Sequence, residues 1–167
     1  MTAGKTIVLD HERVQRKLAR IAHQLHEEHH GEKRIVLIGI APRGIQLAER
    51  LASLLKEISP LDAVVMALHL DKDDPMNKPF ELKGDAGQLK KTTVVLVDDV
   101  LESGRTLMHA AAQLVKHPLK RLTTVVLVDR RHRTFPIRAD IVGLTLSTTL
   151  QERIHVELGK RDAVYLA

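Results

Sequence analysis

The strongest constraint on the fold is a series of aliphatic runs of strand length that alternate with segments of helix length. Four runs are rich in Val, Ile and Leu: Arg34 to Ile40, Asp62 to Leu70, Thr93 to Val97, and a run that starts at Leu122. Strands that are apolar on both sides are typical of a sheet covered on both faces, and helices between them indicate parallel connections. The sequence therefore predicts an α/β fold with a central, mostly parallel sheet flanked by helices.

The segments between these runs carry helical periodicity. Asp10 is suited to cap a first helix that stops by Gly31, with a predicted buried face of Val14, Leu18, Ile21, Ala22 and Leu25. A second helix has a predicted buried face of Ile45, Ala48, Leu51, Ala52 and Leu55. A third spans about Arg105 to Lys116 and ends before Pro118. With 167 residues, 44% of them hydrophobic, residues 1–167 are predicted to form one domain.

A long polar segment, Asp71 to Lys91, interrupts the alternation. It contains two prolines and two glycines and shows no sustained period. Loops of this length inside compact domains are usually functional or disordered. The segment is therefore predicted to be a hairpin or a flexible flap.

Composition narrows the cellular setting and the partners. Cysteine is absent, and no apolar run reaches the roughly 18 residues of a membrane span, so we expect a soluble, cytoplasmic protein with no membrane partner. The net charge of +5 permits polyanionic partners and also suits a site for a heavily phosphorylated small molecule. The only aromatic residues are Phe80, Phe135 and Tyr165, too few to predict binding of single-stranded nucleic acid on aromatic platforms.

The run from Thr92 to Leu107, TTVVLVDDVLESGRTL, ends a buried strand on two adjacent carboxylates, Asp98 and Asp99. The carboxyl ends of parallel strands form the ligand crevice of doubly wound folds. Two carboxylates there need a compensating partner, such as a divalent cation, sugar hydroxyls or a basic side chain. The loop from Glu102 to Thr106 then opens a helix, where backbone N–H groups and a close-approach glycine suit a phosphate. Together these features predict a sugar-phosphate site.

The motif VVLVDDVLESGRT resembles the binding signature for phosphoribosyl pyrophosphate (PRPP) in type I phosphoribosyltransferases. Further segments resemble the branch of pyrimidine operon attenuation proteins that double as uracil phosphoribosyltransferases. These segments are IVLDHERVQRKLARIAHQL, VLIGIAPRGIQLAERLA and LVDRRHRTFPIRADIVG. The resemblance implies a type I phosphoribosyltransferase fold with a small hood and a flexible flap. It also implies transfer of 5-phosphoribose from PRPP to a nucleobase, with uracil as the first choice.

The resemblance also implies roles for individual residues. Asp98 and Asp99 would bind the ribose hydroxyls and Mg²⁺, Ser103 to Thr106 would hold the 5′-phosphate, and Pro42 to Gly44 would hold the diphosphate. In the family this last loop can contain an unusual cis peptide, here at a bond such as Pro42–Arg43. The residues predicted to act in catalysis are Asp98, Asp99, Glu102 and Arg43. The PRPP-binding residues are Asp98, Asp99, Glu102, Ser103, Gly104, Arg105, Thr106, Pro42, Arg43 and Gly44.

The base would lie between this core and a hood built from FPIRADIVG and the C-terminal residues. The predicted base-binding residues are Asp129, Arg130, Ile141 and Val142. The segment from Asp71 to Lys91 is the candidate lid that excludes water during the reaction. Mg²⁺ is the expected cofactor, PRPP and a nucleobase or nucleotide are the expected partners, and a homodimer is the expected assembly.

Two alternatives to the uracil enzyme remain open. The first is an RNA-binding regulator that senses nucleotides, since Arg13, Lys17 and Arg20 form a basic stripe that Arg130 to Arg133 could extend. A solvated stripe is the plainer interpretation, and Ala19 and Leu144 stand where the attenuation branch tends to have a threonine and a lysine.

The second alternative is a 6-oxopurine phosphoribosyltransferase. Glu102 resembles the carboxylate that handles the purine proton in those enzymes, although it could equally be a solvated residue at a helix N-terminus. Asp129 stands where a purine site would have a lysine, which argues for uracil. The histidines of HQLHEEHH, His23 to His30, could suggest metal ligands, but we interpret them as a solvated helix face.

Overall fold

The computed structural model describes residues 4–167, and its main element is a six-stranded sheet. In spatial order the strands are β4 (Glu81–Lys83), β3 (Asp62–His69), β2 (Arg34–Ile40), β5 (Thr93–Leu101), β6 (Arg121–Asp129) and β7 (Ile141–Thr145). All neighbouring pairs are parallel except β3 and β4, which form an antiparallel pair. This arrangement confirms the predicted α/β class and its mostly parallel sheet.

Three helices cover the two faces of the sheet: α1 (His11–Glu28), α2 (Arg43–Ile58) and α3 (Arg105–Leu114). One core cluster joins α1 and α2 to alternate residues of the strands, among them Leu37, Val95 and Val125. The other joins α3 to the opposite face, through residues such as Ile38 and Val126. The strands are thus buried on both faces, as their nearly continuous aliphatic sequences predicted.

The helix predictions were accurate for α1 and partly wrong for α2. The Asp10 side chain accepts a hydrogen bond from the Arg13 N–H (2.9 Å), and the predicted α1 residues are all buried. In α2, Leu47 and Gly44 are buried, whereas Ile45 and Ala52 are only partly buried. The reason is the first turn of α2, where Gly44 packs against β5 and so turns Leu47 towards the core.

A second, three-stranded sheet forms the hood, in the order β1 (Thr6–Leu9), β9 (Ala163–Leu166) and β8 (Ile154–Glu157). All of its strand pairs are antiparallel. The prediction that C-terminal residues build the hood is confirmed, but the assignment of FPIRADIVG to it was wrong. That segment leads into β7, which pairs in parallel with β6 in the main sheet.

The polar segment from Asp71 to Lys91 is a hairpin at its base. β4 pairs with the end of β3, and a short 3-10 helix, Ala86–Leu89, places Leu89 in the core. Residues 71–80 form the connecting loop. Within the described part of the chain, no helix combines the length and apolarity needed to cross a membrane.

Candidate functional site

The acidic pair lies inside β5 rather than after it, because β5 extends to Leu101 through its pairing with β6. Asp98 is 2% exposed and Asp99 is 7% exposed. The Asp99 N–H donates a hydrogen bond to Asp98 Oδ1 (2.9 Å). Burial, together with the adjacent Asp99 carboxylate, raises the pKa of Asp98 to about 8. The pair is therefore a desolvated acidic site that favours a cationic partner.

Two cations from other elements reach this pair. Lys72 Nζ lies 3.3 Å from Asp98 Oδ1 and 3.8 Å from Asp99 Oδ1. Arg43 Nη1, in the first turn of α2, lies 3.9 Å from Asp99 Oδ2. Arg43 was predicted, whereas Lys72 was missed. The sequence did hold a signal, because Lys72 closely follows the parallel strand β3, and the acidic pair lies near the carboxyl end of another parallel strand, β5.

The loop between β5 and α3 has the backbone of an anion site. Gly104 has φ of +86°, and a Cβ there would come within 2.7 Å of Ile137 Cγ2, so both conformation and space require glycine. The Ser103 carbonyl accepts hydrogen bonds from the N–H groups of Thr134 (2.9 Å) and Phe135 (3.0 Å). These two bonds from residues 134 and 135 hold the loop in place. Arg105 and Thr106, which open α3, line the same crevice as the acidic pair, and the N-terminus of a helix is a favourable place for a phosphate.

The loop from Ala41 to Gly44 joins β2 to α2 at the same edge of the sheet. The loop contains a cis bond, as the resemblance implied, but the bond is Ala41–Pro42 and not a non-proline bond such as Pro42–Arg43. Gly44 is buried where a Cβ would lie 2.5 Å from Val97 O. This close approach brings the start of α2, and with it Arg43, next to the acidic pair on β5.

Arg130 was predicted to bind the base, but in the structure it bonds to other residues of the protein. Its buried guanidinium donates to Thr148 Oγ1 (2.7 Å) and Thr149 O (3.0 Å), and to the carbonyl of Glu152. Arg130 Nη1 also lies 3.5 Å from Glu102 Oε2. Arg130 therefore holds residues 148–152 in place and orients Glu102, and its burial also removes it from the predicted RNA surface.

The other three predicted base-binding residues lie away from the crevice lining. Asp129 is buried, accepts from the Arg131 N–H (2.9 Å) and pairs with Arg133 (3.6 Å). The prediction for Ile141 was wrong, because its side chain is fully buried in the core under α1. Val142 is partly buried on the opposite face of the same strand.

The predicted residues that the structure does bring together line a crevice of about 470 Å³. They are Arg43, Asp98, Asp99, Glu102, Ser103, Gly104, Arg105 and Thr106. The apolar side of the crevice includes residues that were not predicted. These are Leu107 of α3, Val126 of β6 and Ile154 of the hood strand β8. In β8, the buried residues Ile154 and Val156 alternate with exposed ones. This period of two in the C-terminal sequence could have predicted the strand and its buried face.

The predicted basic stripe borders a separate groove on α1. The groove, about 540 Å³, has a floor of Val8, Leu9, Leu144 and Leu146 and a rim of Arg13, Arg16, Lys17 and Arg20. Arg20 Nη2 donates to the carbonyls of Val142 (2.8 Å) and Gly143 (2.7 Å), so this guanidinium is already engaged with β7. Arg20 is therefore less available to RNA phosphates than the sequence indicated, whereas Arg13 is exposed and Lys17 partly exposed.

The histidine segment is solvated only in part. His23 and His30 are exposed, as predicted, but His29 is 2% exposed at the end of α1. Burial, and then the positive charge of Arg121, lower the pKa of His29. Among residues 4–167, no three His, Asp or Glu side chains are grouped as a metal site.

Comparisons with known proteins agree with this site. The sequence matches the family described as Phosphoribosyl transferase domain over residues 4–159. The structure is similar to the hypoxanthine phosphoribosyltransferase of Trypanosoma cruzi, with a TM-score of 0.76 and 17% identity, covering 89% of this chain and 84% of that one. The chain belongs to the phosphoribosyltransferase family, and its fold is that of the type I enzymes.

Within the family, the chain is PyrR-like. It is 39% identical to the Bifunctional protein PyrR of Deinococcus deserti, over 98% of this chain and 93% of the relative. It is 44% identical to the Bifunctional protein PyrR of Corynebacterium efficiens, over 92% of this chain and 87% of the relative. The resemblance inferred from the sequence motifs is thus confirmed.

Proposed function

We propose that this protein transfers 5-phosphoribose from PRPP to uracil, with Mg²⁺ bound at the acidic pair. The observation that carries the proposal is the single crevice that brings together Asp98 and Asp99, the loop before α3, and Arg43. Carboxylates, a glycine-containing anion loop and a guanidinium are the groups that a ribose with a phosphate and a diphosphate requires.

Different residues of the crevice bind different parts of PRPP. The N–H groups at the start of α3, with the hydroxyls of Ser103 and Thr106, bind the 5′-phosphate. Arg43 binds the diphosphate, which leaves from C1′ of the ribose. Asp98 and Asp99 accept hydrogen bonds from the ribose hydroxyls, and their negative charge stabilises the positive charge that builds on the sugar ring. These groups act by position and charge, so no covalent nucleophile is needed.

The acidic pair also fits Mg²⁺. Mg²⁺ prefers oxygen ligands and is commonly held by one or two carboxylates together with substrate phosphates, and the two buried carboxylates supply such oxygens. When bound, the ion would neutralise the leaving diphosphate. Asp98 and Asp99 are the residues that would hold it.

Uracil is the proposed base because of Asp129 and the resemblance to the attenuation branch. Asp129 stands where a 6-oxopurine site would have a lysine, and its carboxylate is already engaged with the Arg131 N–H and with Arg133. A carboxylate cannot donate a hydrogen bond to a purine carbonyl oxygen. The apolar side of the crevice, which includes Ile154, would pack against the pyrimidine ring.

Activity with a panel of bases tests the proposal. The protein is incubated with Mg²⁺-PRPP and, separately, uracil, hypoxanthine, guanine, adenine or orotate, and the nucleotide formed is identified by chromatography. We expect the uracil nucleotide, and we expect Asp98→Asn with Asp99→Asn to abolish PRPP binding in calorimetry. Asp62→Asn, an exposed carboxylate at the start of β3, is the matched control. A purine nucleotide as the main product would refute the choice of base, and undiminished PRPP binding in the double variant would refute the site.

Glu102 is proposed as the residue that handles the proton of the attacking base. It lines the crevice, and its Oε2 lies 3.5 Å from Arg130 Nη1. A general-base role predicts that Glu102→Gln lowers turnover by roughly 10²-fold with PRPP affinity nearly unchanged. Normal turnover in this variant would leave Glu102 with a structural role only.

A second candidate function is RNA-dependent regulation, which the basic groove favours. Arg13 and Lys17 lie on its rim, and the groove is separate from the PRPP crevice, so both functions are compatible. A structured leader RNA should then bind with a steep salt dependence that flattens in the variant Lys17→Ala, Arg20→Ala, Arg133→Ala. Equal binding of unrelated RNAs, or none at moderate salt, would leave the enzyme as the single function.

A further inference from the structure

Lys72 has an unusual route to the acidic pair. It follows β3, which is two strands away from β5, and neighbouring strands lie about 4.8 Å apart. The chain therefore turns back across the end of β2 before the Lys72 ammonium can reach Asp98 and Asp99. At 3.3 Å and 3.8 Å from the two carboxylates, the ammonium bridges them.

This contact is also the polar link between the loop of residues 71–80 and the body of the protein. Within the loop, Asp71 Oδ1 accepts from the N–H groups of Asp73 (2.9 Å) and Asp74 (3.0 Å), and Asp71 pairs with Lys78 (3.7 Å). Among the hydrogen bonds and ion pairs of residues 4–167, those of Lys72 are the ones that join this loop to the rest of the chain. The loop thus has its own folded turn and one polar tether, with Pro75 buried at its base.

The ammonium and a divalent cation would compete for the same oxygens. Lys72 contacts one oxygen of each of the two carboxylates that would hold the proposed metal ion. Two cations held within a few ångströms of each other in a poorly solvated crevice repel strongly. Arg43 lies farther away, at 3.9 Å from the other oxygen of Asp99, and so does not block them.

We propose that Lys72 is a positioning residue that acts as the resident counter-ion of the acidic pair and must leave when the metal ion and PRPP enter. Its departure frees residues 71–80 from their polar tether to the acidic pair. The identity of the incoming ligand rests on the proposed function, whereas the tether does not.

The tether is tested by hydrogen exchange on the protein without ligand. Lys72→Met should speed exchange in residues 71–80 by about two- to fivefold, the effect of losing one partly exposed ion pair. Lys72→Arg keeps the charge and should retain most of the protection. Lys78→Met is the matched control, because Lys78 lies in the same loop but pairs with Asp71. Unchanged exchange in Lys72→Met would overturn the tether.

The competition is tested with Mn²⁺ alone, monitored by electron paramagnetic resonance. Lys72→Met should bind Mn²⁺ about tenfold more tightly than the natural sequence, because a neighbouring positive charge has been removed. Lys78→Met should bind as the natural sequence does. Equal or weaker Mn²⁺ binding in Lys72→Met would overturn the counter-ion role. If the natural sequence fails to bind PRPP, the proposed function is refuted. The role of Lys72 is still decided by hydrogen exchange and Mn²⁺ binding, because neither experiment uses PRPP.

Discussion

Replacing Gly44 with alanine sets two physical effects against each other at the edge of the candidate site. Gly44 lies in the first turn of α2, where alanine is a better helix former by about 0.5–1 kcal/mol. Its position, however, leaves no room for a side chain. The added Cβ would lie 2.5 Å from Val97 O and 3.4 Å from Asp98 Cα.

The steric effect should win, because the obstructing atom belongs to the backbone of a central strand. Ordinary contact begins at 3.4 Å, so α2 and β5 must separate by about 0.9 Å. Overpacking of this kind costs about 1–3 kcal/mol, and the gain in helix propensity offsets about 0.5–1 kcal/mol of it, which leaves a net destabilisation of at most about 2.5 kcal/mol with a middle value near 1 kcal/mol. For a protein of this size, a net loss near 1 kcal/mol lowers the Tm by about 2–4 °C.

The same displacement moves Arg43 away from Asp99, so binding should suffer along with stability. A shift near 1 Å at a substrate-positioning group can cost about 10²-fold in kcat/KM. Thermal unfolding of Gly44→Ala measures the loss of stability, and steady-state kinetics with PRPP measures the loss in kcat/KM. Gly31→Ala is the matched control, because no atom lies within 4 Å of a Cβ built there. An unchanged or raised Tm in Gly44→Ala would refute the steric argument.

Three further predictions concern buried groups. Burial and Arg121 lower the pKa of His29, so the folded state disfavours the charged ring. The free energy of unfolding should therefore fall as the pH drops below 6.5. Denaturant titrations at several pH values should show that His29→Gln removes this dependence on pH. Asp162→Ala removes the buried carboxylate that pairs with the partly exposed guanidinium of Arg50 and should cost about 1.5–3 kcal/mol in the same titrations; retention of full stability would show that the pair is dispensable. Ile154→Ala should raise the KM for the base with little change in PRPP affinity, and an unchanged KM would place the base elsewhere.

The floor of the site could be predicted because its parts are close in sequence. The aliphatic run of β5, the acidic pair and the loop to α3 follow one another within Thr93 to Thr106, and each part is defined by local chemistry. The end of β5 was less predictable. Its last residues pair with β6, with Leu101 opposite Asp129, and such a partner cannot be read from the strand itself.

The apolar side of the site and Lys72 could not be predicted in the same way. The hood strands have only four residues each, and their pairing joins distant parts of the chain. The aliphatic residues Ile141 and Val142 look suitable for a base, but their strand completes the main sheet and Ile141 is buried in the core. Lys72 reaches the acidic pair across an intervening strand, a contact that depends on the order of the strands in space.

The pairing of β1 with β9 has a consequence for the order in which the protein forms during synthesis. Thr6 pairs with Leu166, so β1 is synthesised early, and its partner strand β9 is synthesised only after the residues between them. At about 5–20 residues per second, the ribosome takes roughly ten to thirty seconds to cover that interval. The main sheet and the loop between β5 and α3 can fold first, within the nascent chain. The hood, which brings Ile154 to the crevice, is completed later, so a nascent chain forms the floor of the crevice before its hood side.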